Sequence, residues 1–461
     1  MQCINEVMKE ISNFLWGWPM IIMLLGTHIF LTIRLRFPQR KLFTAIKLSV
    51  KKDSHSKGDV SQFGALATSL AATIGTGNII GVATAVSMGG PGAVFWCWLT
   101  GVFGIATKYG EGLLAIKYRQ RNNSGSMTGG PMYALEKGVK SKKLGIMFAL
   151  FTAIAAFGIG NTVQANAISE NISILTEEWF EPIYTRVVVG VIIATLVGLV
   201  IFGGIKSIAN ICSKFVPLMS LFYVLGCLYI LCINHAYIIE AIKLIISSAF
   251  SNQSIAGGAI GSTVMAAARF GIARGLFSNE SGMGSAPIVA AAAQTRNPVR
   301  QALVSSTGTF WDTVLICAMT GLVIVTSILA YPEIDYKDGG LLTKMAFARI
   351  PYVGTPILTV GIITFAFSTI LGWCYYGERA VEYLTHNRGV NIYRVFWTGA
   401  IVLGSIMSLG LVWNIADIMN ALMAIPNLIS LLLLSNVISR ETDYYLWGNR
   451  LDEVADETMQ H

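Results

Sequence analysis

Charge is what this chain has little of. Charged residues make up 13% of its 461 positions, against about 25% in ordinary soluble proteins, while 54% are hydrophobic. A soluble fold of this length needs more charge to cover its surface. The shortage excludes a soluble domain and leaves an all-α polytopic membrane protein, with the lipid bilayer as its first partner. Histidine is scarcer still, five residues that form no cluster. The seven cysteines (Cys3, Cys97, Cys212, Cys227, Cys232, Cys317, Cys374) are odd in number, fall mostly in apolar segments and lack metal-ligand spacing. That pattern argues against disulfide, zinc and redox chemistry. No nucleophile–base pair stands out, so no covalent reaction and no cofactor is expected. The net charge of +8 is scattered through short loops and forms no patch of the kind nucleic acid requires. No cleavable signal is expected either, because the first apolar run ends in a basic segment and not in a small-residue cleavage site.

What is there is a series of long apolar runs. About 20 apolar residues span the hydrocarbon core, and eleven crossings are read: 14–35, 64–88, 91–116, 144–172, 184–204, 214–233, 257–292, 301–331, 354–384, 391–411 and 415–438. A shorter run, "IIEAIKLIISSAF" (238–250), is amphipathic and is expected to lie at the interface. Basic residues follow the first crossing (Arg34, Arg36, Arg40, Lys41, Lys47, Lys51, Lys52, Lys57), fill 117–143 and recur at Lys206, Lys214, Arg296, Arg300, Arg388 and Arg394. Loops of the opposite parity hold Glu177, Glu178, Glu181, Glu333 and Asp335. The positive-inside rule then places the N-terminus outside and the C-terminus in the cytoplasm.

Two crossings weaken themselves. "SLAATIGTGNIIGVATAVSMGG" (69–90) gathers Thr73, Gly75, Thr76, Gly77 and Asn78 at its middle, although glycine costs a helix roughly 1 kcal/mol relative to alanine. The seventh crossing does the same in "ARFGIARGLFSNESGMGSAP" (268–287), with the break expected near 271–284. Setting the first crossing aside leaves ten, broken at the first and the sixth. An offset of five gives two halves of opposite orientation, a strong sequence pointer to a transporter site at the midplane. The expected domains are an N-terminal helix with a basic loop (1–63), a first five-helix repeat (64–233), an outer interfacial segment (234–256), a second repeat (257–438) and a cytoplasmic tail (439–461).

"GTGNIIGVATAVSMGGPGAVFWCW", "KYGEG", "GIGNTVQAN", "GGIKSIANICSKFVPLMS", "GLFSNESGMGSAP" and "GTFWDT" together resemble the alanine/glycine:cation symporters, from about Gly64 to Ile438. The resemblance implies a LeuT-like five-plus-five inverted repeat with one extra N-terminal helix. It also implies Na⁺ as coupling ion, alanine or glycine as substrate, and a bacterial or archaeal cytoplasmic membrane. In the first break, the half-helix starting near Asn78 presents amides and a partial positive charge suited to a substrate carboxylate, with Thr73, Gly75 and Gly77 beside it. Carbonyls near Ala71 to Ile74 can accept from an ammonium group or ligate Na⁺. The competing reading of these glycines is close helix packing. The stretch 69–90 contains no Asp or Glu, which favours a zwitterion over a simple amine.

By resemblance to the fold, Asn78 is a sodium ligand, and Ser368 and Thr369 face Ala71 and Ile74 to complete an oxygen site. Gln164 reaches the substrate by resemblance to the family; the alternative is an interhelical hydrogen bond. Trp373, one turn from Thr369, is expected to wall the pocket, with Phe270 or Phe277 nearby. Arg274, Glu280 and Asp312 lie at membrane depth, where charge is costly. They are expected to pair, Arg274 with Asp312 or Glu280, either as structure or as a cytoplasmic gate. Asp417 and Asn420 stay open between packing and an outer gate. Two rivals remain: a proton-coupled transporter of the same fold with Lys214 in place of sodium, and a channel, for which a continuous polar lining is lacking.

Overall fold

The computed structural model describes residues 2–51, 58–122, 125–251, 264–334, 339–386, 388–407 and 409–455. Lys52, Lys57, Asp335 and the start of the expected crossing 257–292 lie outside them. Among the described residues the only strands of a sheet are Gln120–Arg121 and Met127–Thr128, an antiparallel pair. The first half carries α1 (Gln2–Leu15), α2 (Trp18–Arg34), α3 (Leu42–Val50), α4 (Gln62–Thr73), α5 (Val82–Gly89), α6 (Gly92–Lys117), α7 (Lys142–Ala155), α8 (Val163–Thr176), α9 (Pro182–Ile201) and α10 (Gly204–Ile233). Next come α11 (Ile238–Phe250), α12 (Val264–Asn279), α13 (Pro287–Ala290), α14 (Pro298–Thr309) and α15 (Ala318–Ala330). Last are α16 (Gly339–Ala348), α17 (Gly354–Thr385), α18 (Val390–Ile406), α19 (Leu409–Leu433) and α20 (Ser435–Thr442).

Seven described helical stretches are long and apolar enough to cross a membrane, or eight if one bent pair counts as a single span. That pair is Gln62–Thr73 with Gly77–Gly89, bent by 53°, so the first expected break is a real one. Boundaries shift elsewhere. The first crossing is two helices joined at Gly17, and α10 starts ten residues before the expected 214. The amphipathic segment 238–250 is α11, whose apolar side (Ala241, Ile245, Ala249) is buried while Ile239 and Ile246 stay exposed.

Large apolar side chains point outward from α9, α10 and α18, among them Leu199, Leu218 and Phe396. Such an apolar exterior is the face a bilayer wets. Inside, α6 is the central post, packed by α12 and α14. The glycines of "GIARG" explain the closeness. A Cβ on Gly271 would lie 2.3 Å from the Ala93 carbonyl oxygen, and one on Gly275 2.2 Å from Thr100 Oγ1. This is small-residue packing of one membrane helix on another, not a break. The helix runs unbroken through 271–279 and opens only at Glu280, correcting the expected position by about nine residues at its near edge.

The basic loops converge on one face. Trp447 Nε1 donates to the Leu35 carbonyl at 3.3 Å, Lys117 bonds Glu441 at 2.9 Å, and Asn297 Nδ2 donates to the carbonyls of Leu451 and Glu453 at 2.9 Å each. Val60 and Ala293 form a parallel bridge, so the approach to the first broken helix is tied to the exit from the second.

Candidate functional site

The first break begins where α4 ends. Ile74 turns to extended backbone (ψ 93°), and the chain re-enters a helix, wound as a π turn, over Gly77–Gly81. Asn78 staples the gap: its Oδ1 accepts from the Gly75 amide at 2.8 Å, and its own amide donates to the Gly75 carbonyl at 3.2 Å. Its Nδ2 donates to Asp312 Oδ1 at 2.6 Å. The Asp312 carboxylate also receives Ser278 Oγ at 3.0 Å and Thr313 Oγ1 at 2.6 Å. Three donors on one fully buried carboxylate tie the break, α12 and the helical turn Phe310–Cys317 into one unit. Bonded to both Gly75 and Asp312, Asn78 splints the break.

Across the gap lies α17. Ser368 Oγ donates to the Ala71 carbonyl at 3.2 Å and Thr369 Oγ1 to the Ile74 carbonyl at 3.3 Å. These are the hydroxyl–carbonyl contacts that the family resemblance implies. A Cβ on Gly75 would stand 2.6 Å from Thr369 Oγ1 and 3.6 Å from Gln164 Oε1, so Gly75, Thr369 and Gln164 meet at one point. Gln164 Nε2 donates to the Ile159 carbonyl at 3.0 Å, while its buried Oε1 has no hydrogen-bond partner among the described residues. A buried acceptor left unpaired is costly, and this one stands beside the break. Asn161 and Asn166 tie helices together through Nδ2, which donates to the Trp397, Gly404 and Met407 carbonyls; their buried Oδ1 atoms also have no partner among the described residues.

The other expected residues each have contacts of their own. Thr73 Oγ1 bonds back to its own helix, at Ser69 and Leu70. Gly77 opens the helical turn Gly77–Gly81 without a positive φ. It is small because the Phe277 ring would lie 3.3 Å from an added Cβ. Phe277 thus reaches the break; it also lines a small cavity that Phe270, two turns earlier, shares with Trp16, Arg274 and Asp417. Trp373 is fully buried and leans on Gly160, where an added Cβ would lie 2.1 Å from the Trp373 Cβ. Its ring meets Tyr376 edge-on at 5.5 Å.

The expected pairing of Arg274 with Asp312 or Glu280 is replaced by another arrangement. Asp312 serves Asn78, Ser278 and Thr313, and Glu280 Oε2 accepts from Ser285 Oγ at 2.5 Å. Arg274 stacks over Phe277 at 5.8 Å and shares that small cavity with Asp417. The reason is geometric: α12 stays helical to Asn279, which carries Arg274 more than a turn away from the break that holds Glu280.

The second break spans Glu280–Ala286, with positive φ at Glu280 (54°), Gly282 (90°) and Gly284 (84°). Two α6 side chains that sequence reasoning passed over hold it. Glu111 Oε1 accepts from the amides of Gly282 (3.0 Å) and Gly284 (3.1 Å) and from Asn427 Nδ2 (2.7 Å). Lys108 Nζ donates to the Asn279 carbonyl at 2.8 Å. The signal was present: "KYGEG" places two charges inside an apolar run, and buried charge in a membrane demands a partner.

A family model described as "Sodium:alanine symporter family" matches residues 1–459. The chain belongs to the sodium:alanine symporter family. An uncharacterized transporter of Haemophilus influenzae is 51% identical over 96% of each chain. The sodium/alanine symporter AgcS of Methanococcus maripaludis is 49% identical, covering 95% of this chain and 96% of its own. More distant members carry other names, such as a probable sodium/glutamine symporter of Bacillus subtilis at 34% identity over 95% of this chain and 90% of its own. The crystal structure of MhsT in complex with L-phenylalanine superposes with a TM-score of 0.60 at 14% identity, over 85% of this chain and 95% of the other. That likeness gives the symporter-family chain a LeuT-like fold. Its relatives are named as transporters and symporters, not enzymes.

Proposed function

We propose that this chain imports small neutral amino acids, alanine and glycine foremost, together with Na⁺ by alternating access. The observation that carries the reading is the unwound Ile74–Gly75 step facing Ser368 and Thr369, with Gln164 Oε1 unpartnered beside it. Two carbonyls and two hydroxyls form a neutral oxygen set, which suits a hard monovalent cation. The first turn of the half-helix after Gly75 offers amides that its own helix cannot pair, a seat for a carboxylate. Gln164 Oε1 is an acceptor for the substrate ammonium. The name of the AgcS relative supports the sodium and alanine assignments. Proton coupling through Lys214 loses its residue, because Lys214 is exposed on α10.

The remaining parts of the reading are eleven crossings in a five-plus-five repeat, an outer N-terminus and a cytoplasmic C-terminus. The energetics suffice for nutrient capture. One inward charge at 100 mV supplies about 2.3 kcal/mol and a tenfold Na⁺ gradient about 1.4, together roughly two to three orders of magnitude of concentration. The test is uptake of labelled alanine, glycine and glutamine into proteoliposomes, with external Na⁺ exchanged for Li⁺ or K⁺ at fixed pH. Alanine uptake should collapse in K⁺. Uptake that ignores Na⁺ and follows an imposed pH gradient would sink the reading.

A further inference from the structure

We infer that a groove beside the first broken helix binds a bilayer phospholipid with an anionic headgroup. The apolar part is a cavity of about 350 Å³, walled along α4 by Phe63, Leu66 and Leu70, just past its end by Ile74, and along α10 by Val216 and Leu221. That size falls in the range of roughly 300–1,000 Å³ typical of small-molecule sites. Leu221 and Val50 are 56% and 70% exposed, so the groove opens outward on the apolar exterior that faces the bilayer.

A second cavity, about 240 Å³, shares Ser49, Val50 and Phe63 with the first and adds Lys51, Ser61, Gln62 and Gln294. An apolar channel with a polar, cationic mouth has the shape and polarity of one phospholipid. The mouth lies on the face where the basic loops gather, and basic pockets there hold anionic headgroups. Asp452 also lies within the field of Lys51, and its closer partner is Arg300 at 2.7 Å.

The site bears on transport because Ile74 belongs to both. Its side chain lines the groove while its carbonyl accepts the Thr369 hydroxyl. A bound acyl chain braces α4 against α10, and so steadies the oxygens of the break. This inference rests on residence in a membrane and not on the substrate.

The experiment is native mass spectrometry of the full-length protein, equilibrated with mixed phosphatidylglycerol–phosphatidylcholine micelles and then stripped in detergent. Wild type should retain phosphatidylglycerol in preference to phosphatidylcholine. Lys51→Gln should lower that preference about five-fold, the worth of one interfacial lysine. Leu221→Trp should expel both lipids, with an unchanged lipid-free Tm because Leu221 is largely exposed. Equal retention by wild type and both variants, or wild-type retention without headgroup preference, would overturn the site. Neither readout requires transport, so its failure is separate from that of the symport reading.

Discussion

Replacing Gly75 by alanine is the sharpest perturbation the break allows. The added methyl carbon would sit 2.6 Å from Thr369 Oγ1 and 3.5 Å from Thr369 Cβ. Gly75 has no positive φ, so the substitution is punished by contact and not by backbone angle. Threonine is stiff at χ1, and its Oγ1 is already held by the carbonyls of Phe365 (3.0 Å) and Ile74 (3.3 Å). Relief therefore means turning Thr369 out of both bonds or moving α4 away from α17, which already touch closely at Gly372 and Ala72. Overpacking of this kind costs about 1–3 kcal/mol, which is roughly 5- to 150-fold in an equilibrium constant. The Na⁺ concentration for half-maximal alanine uptake in proteoliposomes should rise by that factor in Gly75→Ala. In Gly75→Ala with Thr369→Ala the methyl has room, so the second change should add far less than it costs alone. Additive losses in this cycle, or a Gly75→Ala protein with wild-type Na⁺ dependence, would refute the proposed contact of Gly75 with the ion site.

Substitutions at two further residues separate walls from splints. Trp373→Ala should lower the melting temperature, since emptying a buried aromatic site costs about 3–5 kcal/mol, and it should admit larger amino acids while weakening alanine; an unchanged substrate ranking would leave Trp373 as helix packing against Gly160 alone. Glu111→Ala leaves the Gly282 and Gly284 amides without an acceptor and takes from Asn427 Nδ2 one of its two, at about 1–3 kcal/mol for each orphaned donor, and should abolish recovery of folded protein, whereas Glu111→Gln keeps an acceptor oxygen and should yield a folded protein of reduced Tm; a Glu111→Ala protein that melts like wild type would show that Glu111 does not hold the second break.

How far the sequence could be read depended on whether a signal was local. The first break was legible because glycine, threonine and asparagine crowd five positions in an otherwise apolar span. The hydroxyl–carbonyl pairs at Ser368 and Thr369 were legible through resemblance, and the geometry puts them at 3.2 and 3.3 Å. The second break was misplaced because glycine has two uses in a membrane. Gly271 and Gly275 let α12 press on α6, while only Gly282 and Gly284, with φ near 90°, permit the unwound path. Composition does not distinguish these uses. The roles of Arg274, Asp312 and Glu111 were hidden for another reason. Each depends on which helices meet, and pairings across more than a hundred residues leave no mark on local spacing.

The two breaks share a physical logic that answers why a membrane helix weakens itself. Unwinding frees amides and carbonyls that cost several kcal/mol if left bare in an apolar setting. Here neighbouring side chains take up the groups that must stay fixed. Asn78 holds Gly75 and is itself held by Asp312; Glu111 holds Gly282 and Gly284, and Lys108 holds the Asn279 carbonyl. The splints are ionic or amide groups, buried, and drawn from helices that pack tightly. The carbonyls of Ala71 and Ile74 are treated differently. Their partners are hydroxyls, which donate here and, in the proposed symport cycle, can turn a lone pair toward Na⁺ instead. Rigid splints at the edges and exchangeable hydroxyls at the centre keep the break stable while leaving its oxygens available. A broken helix whose every freed group had a charged partner would be as stable, but it would have nothing left to offer an ion.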